Sequence, residues 1–589
     1  MQRRGFLLLL LGLATAWISP EVEAAQRPVG SQGGPSWCGT HISGLAIAEA
    51  RHRKFQRRLA RERRLEAEAG VSDQVGGRLS AGPTVTKVGN LAVIEVDTTL
   101  VSDVNLFDLD NGAVQFKRRG KKLRAVSSSA VVNSDVGTLV QIGDDDTVIL
   151  DLPFNFRFYG RRYSRVFLNS DGNLTFEEGD KESTPRSLAR FLNGPPRIAP
   201  FFADLDPSQA LAGGGVFVNS SPSRVRITWL DVPEFDKSTL NTVQVTLFPR
   251  GRIAMAYGEL AAKEGIVGTS PGDVAPVALI DFTSDLPFGP VGSAIAERFS
   301  LSPQVDDVAV AQVFFQHFRD IYDHLIVWVD FPVSLEDAFA FELTVKNDVR
   351  GIGLRLFDFS DLLGSDSRLE SYVQMGSLRR YPANPNQTFL ETNSTLDILG
   401  QETGHRWLAF VRFRDRDGVV SSDLLGRGMP PSHWSFHHDT DASVMEGNDI
   451  VDNGDGTFLT VDATSRFSPL DRYLMGLIPP QEVPDFFYVG NATGASQDSA
   501  PEIDVTIRGL RIDVSVDDVI AAEGEREPAS EEARKKFKMA FVLLAQEGKP
   551  PSEASIDQVN RIRKRWRSFF RQATGRNGKV ATNLRAKPN

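Results

Sequence analysis

The chain has 589 residues, a hydrophobic fraction of 41% and an aromatic fraction of 9%, which excludes a wholly disordered protein and leaves enough apolar material for several domains. Its net charge of −10 argues against a general nucleic-acid-binding protein. The single cysteine, Cys38, excludes an intramolecular disulfide and a cysteine-rich zinc site. A bound metal would therefore need His, carboxylate or amide ligands.

Residues 1–24 have the pattern of a secretory signal peptide. Arg3 and Arg4 precede a short apolar run, and small residues around Ala24 form a cleavage site. The arginine pair also resembles the twin-arginine export signal of bacteria. No later run of about 18 apolar residues follows, so we expect no transmembrane segment after signal removal. We expect a secreted, periplasmic or extracellular protein, and export without disulfides is typical of bacteria.

Residues 25–84 are predicted to form a partly disordered leader around one basic helix. The helix is expected over residues 43–70 and ends at Gly70. Its many arginines could bind an anionic polymer or a lipid surface. They could also form the solvated face of a leader or of a removable pro-segment. Residues 85–130 are interpreted as a short β segment and a linker, and the Lys- and Arg-rich residues 117–124 are expected to form a turn or a linker.

Residues 131–300 show the alternation of apolar and polar side chains that is typical of antiparallel strands with one buried face. The pattern is clear at residues 154–158, 225–229 and 243–247, and turn signals such as residues 171–172 separate the runs. Several such strands predict an all-β domain of the sandwich or barrel type.

Four motifs in this region together resemble a nidogen-type (NIDO) extracellular domain over residues 140–285. They are Phe-Asn-Phe-Arg-Phe-Tyr-Gly at 154–160, Asn-Ser-Asp-Gly at 169–172, Ile-Ala-Pro-Phe-Phe-Ala-Asp-Leu-Asp at 198–206 and Gly-Gly-Val-Phe at 214–217. The resemblance implies a β-rich extracellular module associated with cell–matrix adhesion. It implies no catalytic chemistry.

Two oxygen-rich segments are candidate calcium sites. Asp204 and Asp206 could bind calcium because paired carboxylates suit hard cations. The alternative is that they are turn residues that accept backbone hydrogen bonds. Residues 452–457 (Asp-Asn-Gly-Asp-Gly-Thr) could also bind calcium, but they lack the full spacing of a calcium loop, and a hairpin turn is the simpler interpretation.

The candidate catalytic and metal-binding residues of the sequence lie in residues 305–490. Apolar runs predict strands, and a helix is expected to begin at Ser394, which forms a capping-box pattern with Asp397. On that helix Gln401 and His405 are four residues apart and share a face.

The helix resembles the active-site helix of zincin metallopeptidases, and residues 305–490 would then form an α+β zincin-like domain. In the H-E-x-x-H motif two His bind zinc and the Glu is the general base. Here Glu402 and His405 match, whereas Gln401 replaces the first His. An amide oxygen is a neutral and weaker zinc ligand than imidazole, so the substitution affects either the metal or the activity.

Further histidines follow downstream, and with His405 half of the eight histidines fall within 34 positions. We expect a zinc ion, and its preferred ligands are His405, His433 and either Gln401 or a second downstream group. The reserve candidates are His437, His438 and Glu446, and Asp439 or Asp441 could orient a His through its second nitrogen. A polar surface loop that binds no metal is the alternative.

Residues 468–477 resemble the Met-turn that lies beneath the zinc in metzincins. Met475 is the matching residue, and Tyr473 could donate to an oxyanion. A core Met and Tyr at a helix end would explain the same residues without chemistry. No third His follows six residues after His405, so the resemblance is to zincins broadly.

Residues 500–589 are interpreted as a C-terminal helical cap on the preceding domain. Helices are predicted over residues 530–546 and 553–572, and the basic cluster at residues 561–567 is interpreted as a solvated face.

Two functions remain open for this multidomain chain. The first is a secreted zinc-dependent endopeptidase, in which Glu402 activates a metal-bound water against an extracellular protein or peptide and the nidogen-like domain provides adhesion or targeting. The second is a non-catalytic extracellular cell–matrix adhesion protein with a degenerate peptidase domain and a matrix or cell-surface partner.

Overall fold

The computed structural model describes residues 37–38, 44–68 and 83–588, apart from residues 103, 184–185, 273–275, 336–337 and 429–430. The predicted signal peptide and most of the leader on either side of its helix lie outside these residues. Among the described residues, no helix is long and apolar enough to cross a membrane.

The N-terminal part contains one long helix and three strands. These are β1 (Trp37–Cys38), α1 (Gly44–Glu68), β2 (Thr84–Val88) and β3 (Leu91–Val96). The predicted basic helix is therefore confirmed as α1.

Helix α1 is held against the rest of the chain by its basic side chains. Arg51 Nη1 lies 3.3 Å from Asp307 Oδ2, and Lys54 Nζ lies 3.4 Å from Glu297 Oε1. Phe55 is buried. The basic residues of α1 thus neutralise acidic groups of the chain itself. This differs from both interpretations of the sequence, which were a solvated face and a face that binds an anionic partner.

The middle of the chain forms fifteen strands and one short helix within the described residues. They are β4 (Ala113–Arg119), β5 (Lys122–Ser127), β6 (Thr138–Val140), β7 (Thr147–Phe158), β8 (Arg161–Asn169), β9 (Asn173–Thr175), α2 (Leu188–Asn193), β10 (Arg197–Phe202), β11 (Gly215–Ser221), β12 (Arg224–Val232), β13 (Asn241–Phe248), β14 (Arg252–Leu260), β15 (Gly265–Ser270), β16 (Val277–Leu279), β17 (Phe288–Val291) and β18 (Ala294–Phe299).

These strands form two sheets that share one buried apolar cluster. The strand orders are β16-β18-β15-β10-β9-β8-β7 and β17-β5-β4-β14-β13-β12-β11-β6. The cluster includes Phe156 from one sheet and Trp229 from the other, both fully buried. The predicted all-β sandwich is confirmed. Residues 117–124, expected to be a turn or a linker, belong to the β4–β5 hairpin of the sandwich, with the turn at residues 120–121 and paired strand residues on either side.

The C-terminal half begins with a helix and a mixed α/β arrangement. Its elements are α3 (Asp307–His317), β19 (His324–Val329), β20 (Ala338–Thr344), β21 (Lys346–Asn347), β22 (Phe357–Asp358), β23 (Ser371–Ser377), β24 (Thr388–Leu390), β25 (Asn393–Ser394), α4 (Thr395–Gly404), β26 (Phe413–Arg414), β27 (Val420–Ser421), β28 (Leu425–Gly426), β29 (His433–Trp434), β30 (Asn448–Asp452), β31 (Thr457–Ala463), α5 (Pro469–Leu474), β32 (Phe486–Thr493), β33 (Thr506–Val514), α6 (Val516–Glu523), β34 (Lys536–Gln546), α7 (Glu553–Ala573) and β35 (Lys579–Ala581).

The main sheet of this half has the order β1-β20-β23-β19-β34-β3-β2, with β35 beside β34. Strand β19 runs parallel to both β23 and β34, whereas β20 runs antiparallel to β23. Both faces are covered, because Trp328 of β19 packs in the cluster around α4 and α7, and Val327 packs in the cluster around α3. Parallel strands buried on both faces read as continuous apolar runs.

The predicted helix over residues 530–546 is wrong, since residues 536–546 form β34 in the interior of this sheet. Residues 539–545 are buried without interruption. The physical reason for the error is that a strand buried on both faces has no polar side to break the apolar run, and such a run also satisfies a helical stripe. Residues 500–589 therefore contribute to the core of the sheet and do more than cap it. The predicted helix over residues 553–572 is confirmed as α7.

Candidate functional site

Helix α4 begins where the sequence predicts. The side chain of Ser394 accepts hydrogen bonds from the backbone of Leu396 and Asp397, and the Asp397 carboxylate accepts one from the Ser394 backbone. This capping box satisfies amide groups that the first turn leaves open. The helix ends at Gly404, with His405 at its C-cap.

Gly404 allows the loop that carries Met445 to pack close to α4, because a Cβ at this position would lie 2.5 Å from Met445 Sδ. At Gly400 a Cβ would instead lie 3.2 Å from the Phe569 ring of α7. Beside Gly404, the Gln401 side chain donates a hydrogen bond of 3.4 Å from Nε2 to Oε1 of Glu446 in the same loop.

The structure brings His405 and His433 together. Their ring centroids are 4.9 Å apart, the ring planes are close to perpendicular, and both residues are buried. Nδ1 of His433 lies 2.9 Å from the backbone carbonyl of Arg427, which fixes Nδ1–H as the donor. Nε2 of His433 then carries the lone pair, and it is buried with no hydrogen-bond partner among the described residues. Metal-binding histidines commonly have this arrangement.

Burial holds the pKa of His405 well below its usual range, and the neighbouring His433 lowers it further, while a hydrogen bond with the Leu408 backbone opposes the shift. His405 is therefore neutral near pH 7. A neutral imidazole is the form that binds metals.

Arg427 is a residue of this site that the sequence reasoning missed. Its Nη1 lies 3.1 Å from Oε2 of Glu446 and 3.3 Å from Oε2 of Glu391. The contact with Glu446 is an ion pair by distance but lacks the alignment of a hydrogen bond. Arg427 and Glu446 are both buried. The carboxylate of Glu446 thus already faces a cation that belongs to the protein.

The predicted ligand set is assembled only in part. His405 and His433 are in contact, and Gln401 lies beside Glu446. Across the part of the chain that the structure describes, no group of three or more His, Cys, Asp or Glu side chains is placed to hold a metal ion. Because Glu446 faces Arg427, the side chains near α4 that could bind a metal are the imidazoles of His405 and His433 and the amide of Gln401.

Glu402 and Tyr473 lie in different surroundings. Glu402 is buried on α4, and its charge adds to the effect of burial in raising the pKa of Tyr381. Tyr473 lies near the end of α5, where its hydroxyl accepts a hydrogen bond of 3.3 Å from the Arg526 backbone. Met475 follows as the C-cap of α5 and is buried.

The reserve ligands have partners of their own. Nε2 of His437 lies 3.0 Å from the carbonyl of Ala495, and the ring of His438 packs against Trp434 with centroids 5.1 Å apart. Asp439 accepts a hydrogen bond from the Ile450 backbone, and Asp441 pairs with Arg466 at 2.9 Å. The two carboxylates thus stabilise loop and strand geometry.

A second group of buried charges lies just beyond α4. Arg406 is fully buried, with Nε 3.2 Å from Glu370, Nη1 3.2 Å from the Asn347 amide oxygen and Nη2 3.2 Å from Asp348. Arg534, which precedes β34, also pairs with Glu370. This network connects four separate segments, and no local pattern in the sequence indicates it.

Glu342 on β20 makes stability depend on pH. Burial raises the pKa of Glu342 to about 8, and hydrogen bonds with Ser371 and Thr344 oppose the shift. Between about pH 4.5 and about pH 8 the Glu342 carboxyl is protonated in the native state but ionised in the unfolded chain. The free energy of unfolding therefore falls as the pH rises through this window. We expect Glu342→Gln to flatten the change in urea midpoint across this window. The exposed control Glu259→Gln should keep the wild-type dependence, and equal behaviour of the two variants would contradict the assignment.

The candidate calcium residues in the sandwich are engaged within the chain. Asp204 pairs with Arg186 at 2.9 Å, and Asp206 accepts a hydrogen bond of 2.9 Å from the Ser208 backbone. Residues 452–457 form the turn between β30 and β31, where Asp452 accepts a hydrogen bond from the Gly454 backbone. The contacts of Asp206 and Asp452 are those of turn residues, whereas Asp204 is in an ion pair.

Comparison with known proteins relates the sandwich to a family. Residues 123–286 match the family model described as NIDO related. This part of the chain, here called the NIDO-related domain, is similar to that family. The chain is also 25% identical to Nidogen of Drosophila melanogaster over 208 residues, which is 30% of this chain and 15% of that protein. No solved structure matches the chain significantly.

The family match confirms the nidogen-like part of the predicted resemblance. It covers most of the sandwich, from β5 to β16, and ends before α3, so it does not reach α4. The chain spans about 15% of the length of the curated relative that it matches. The zincin-like interpretation of residues 305–490 stays a prediction.

Proposed function

We propose that the chain is an extracellular adhesion protein in which the NIDO-related domain is a binding module and the α/β half is a non-catalytic companion. The observation that carries this proposal is the match of residues 123–286 to the NIDO-related family. In this proposal the protein is exported through its N-terminal segment and its partner is a matrix or cell-surface component.

The surroundings of α4 support a non-catalytic role. Gln401 stands where a zincin has its first His, and its amide donates to Glu446. The Arg427 guanidinium lies 3.1 Å from the same carboxylate. A divalent cation bound here would be repelled by Arg427 in a buried environment, where charges are poorly screened. A peptidase site also needs access for its substrate, whereas Gln401, Glu402, His405 and His433 are all buried.

A zinc-dependent endopeptidase is the second candidate, and a specific observation favours it. His405 and His433 are in contact, and Nε2 of His433 is buried and oriented as a ligand would be. Gln401, His405 and His433 would hold the metal, and Glu402 would accept the proton of an attacking water. The chemistry that bound zinc supplies is the activation of water and the polarisation of a carbonyl.

Binding and cleavage assays separate the two candidates. The purified chain is added to surfaces coated with decellularised extracellular matrix and, separately, to denatured gelatin. We expect saturable binding that Glu402→Ala leaves unchanged, and no gelatin cleavage. Absence of matrix binding would overturn the adhesion proposal. Cleavage that Glu402→Ala abolishes would establish the peptidase.

Metal content provides a further prediction. Because Arg427 neutralises Glu446 and Gln401 is a weak donor, we expect the wild-type protein to hold less than about 0.2 zinc per chain after incubation with zinc, whereas Gln401→His completes a three-imidazole set and raises the content towards one. Atomic emission after desalting measures both. The exposed His317 gives the control His317→Ala, which should not change the content. Near-stoichiometric zinc in the wild type, lost in His405→Ala, would contradict the expectation.

A further inference from the structure

The C-terminal part of the chain has a charge opposite to that of the whole. Residues 531–589 contain 15 Lys and Arg against 5 Asp and Glu, whereas the complete chain has a net charge of −10. Most of this positive charge is on α7 or shortly after it. Charge segregation on this scale produces a local positive potential on an acidic protein.

Helix α7 separates its apolar and basic residues by face. One face packs into the core through Val559, Ile562, Trp566, Phe570 and Ala573. The opposite face carries five exposed cations, here called the α7 basic row: Arg561, Lys564, Arg565, Arg567 and Arg571. Asp557 and Glu553 are the acids of that face, and they lie one and two turns before the row.

The α7 basic row is not neutralised within the chain. None of its five side chains forms an ion pair with any described residue, and Arg561 donates only to the carbonyl of Ala383. Helix α1 shows the contrast, since Arg51 and Lys54 pair with carboxylates of the chain. The fold thus pairs basic side chains of α1 with carboxylates of the chain and leaves the α7 basic row facing solvent.

The spacing of the row matches a linear polyanion. At about 1.5 Å per residue, Arg561 and Arg571 lie about 15 Å apart along the helix. Arg576 and Lys579, which follow the helix, are also exposed. A series of cations a few ångströms apart, without an intervening acid, favours a ligand that carries repeated charges over a single small anion.

The lack of a fully exposed aromatic side chain on α7 narrows the class of ligand. Trp566 and Phe570 are fully buried and Phe569 packs partly buried against the core, so no exposed ring stands beside the row on which unpaired bases could stack. It also lacks the exposed apolar face that an interfacial membrane helix inserts into lipid. We propose that the α7 basic row binds a sulfated or carboxylated polysaccharide. This proposal is independent of the proposed function of the NIDO-related domain.

The test compares two triple variants of the full chain that remove the same charge. Lys564→Gln, Arg567→Gln and Arg571→Gln together remove three of the five positive charges of the row. The control is Lys237→Gln, Arg350→Gln and Arg416→Gln, whose cations are exposed but paired with Glu234, Glu527 and Asp513. Heparin is the probe, and affinity is measured by calorimetry at several salt concentrations, with thermal unfolding as the check on folding.

We expect wild type and control to bind heparin with similar affinity, and the row variant to bind at least tenfold more weakly with a shallower dependence on salt. Equal affinity of the row variant and the wild type would overturn the proposal, as would an equal loss in both variants. Tighter binding of duplex DNA or of anionic vesicles than of heparin, at the same salt concentration, would also overturn it.

Discussion

Leu543→Ala is expected to lower the free energy of unfolding by about 2–5 kcal/mol, because it removes a fully buried side chain from β34 and leaves a cavity in the sheet core. The variant distinguishes the strand from the helix that the sequence predicts. In a helix over residues 530–546, the apolar stripe would contain Phe537, Phe541 and Leu544, and Leu543 would face solvent. Its truncation would then change stability by less than about 0.5 kcal/mol.

Urea unfolding at neutral pH measures this effect. The control is Leu510→Ala, which makes the same chemical change at a leucine that is 61% exposed on β33. We expect the control to remain within about 0.5 kcal/mol of the wild type. A small effect of Leu543→Ala, comparable with that of the control, would contradict the central position of β34.

Arg406→Met is expected to lower the free energy of unfolding by about 3–5 kcal/mol near pH 7. The substitution removes one of the two arginines whose positive charge balances the buried carboxylate of Glu370. Burial raises the pKa of Glu370, but Arg406 and Arg534 outweigh it and hold the pKa below its usual value. A carboxylate with a lowered pKa contributes stability above its unfolded pKa and loses that contribution as the pH falls. The destabilisation by Arg406→Met should therefore shrink in acid.

The matched control is Arg350→Met, because the Arg350–Glu527 pair is exposed on both sides. Exposed pairs contribute about 0–1 kcal/mol. Denaturant unfolding at neutral pH and near pH 4 gives both readouts. A loss that is equal at the two pH values would indicate that Arg406 acts through packing alone, and the electrostatic interpretation would be wrong.

Much of the fold was predictable because its signals are local. Alternation in residues 154–158 and 225–229 predicts strands, and the structure has strands at both places, although Arg226 and Thr228 on the polar face of the second strand are buried as well. The capping box at Ser394 depends on residues three positions apart, and it forms. The approach of His405 to His433 was also predicted, from the concentration of histidines in one region, and the two rings are in contact.

The chemistry of the site was less predictable, because it depends on partners that are distant along the chain. Arg427 lies 36 positions from Glu391 and reaches both Glu391 and Glu446 only after folding. Gly404 gave no signal by itself, yet its lack of a side chain lets Met445 in the loop that carries Glu446 pack closely against α4.

The sequence by itself determined the NIDO-related sandwich, the start of α4 and the unusual Gln401, since alternation, capping and residue identity are properties of short segments. Only the tertiary structure decided that residues 536–546 lie inside a sheet, that α1 is paired with acidic groups while α7 is not, and that a cation already faces Glu446. The physical reason is the same in each case. Burial and charge pairing depend on which segments meet, and Arg51 and Asp307 are 256 positions apart in the chain yet 3.3 Å apart in the fold.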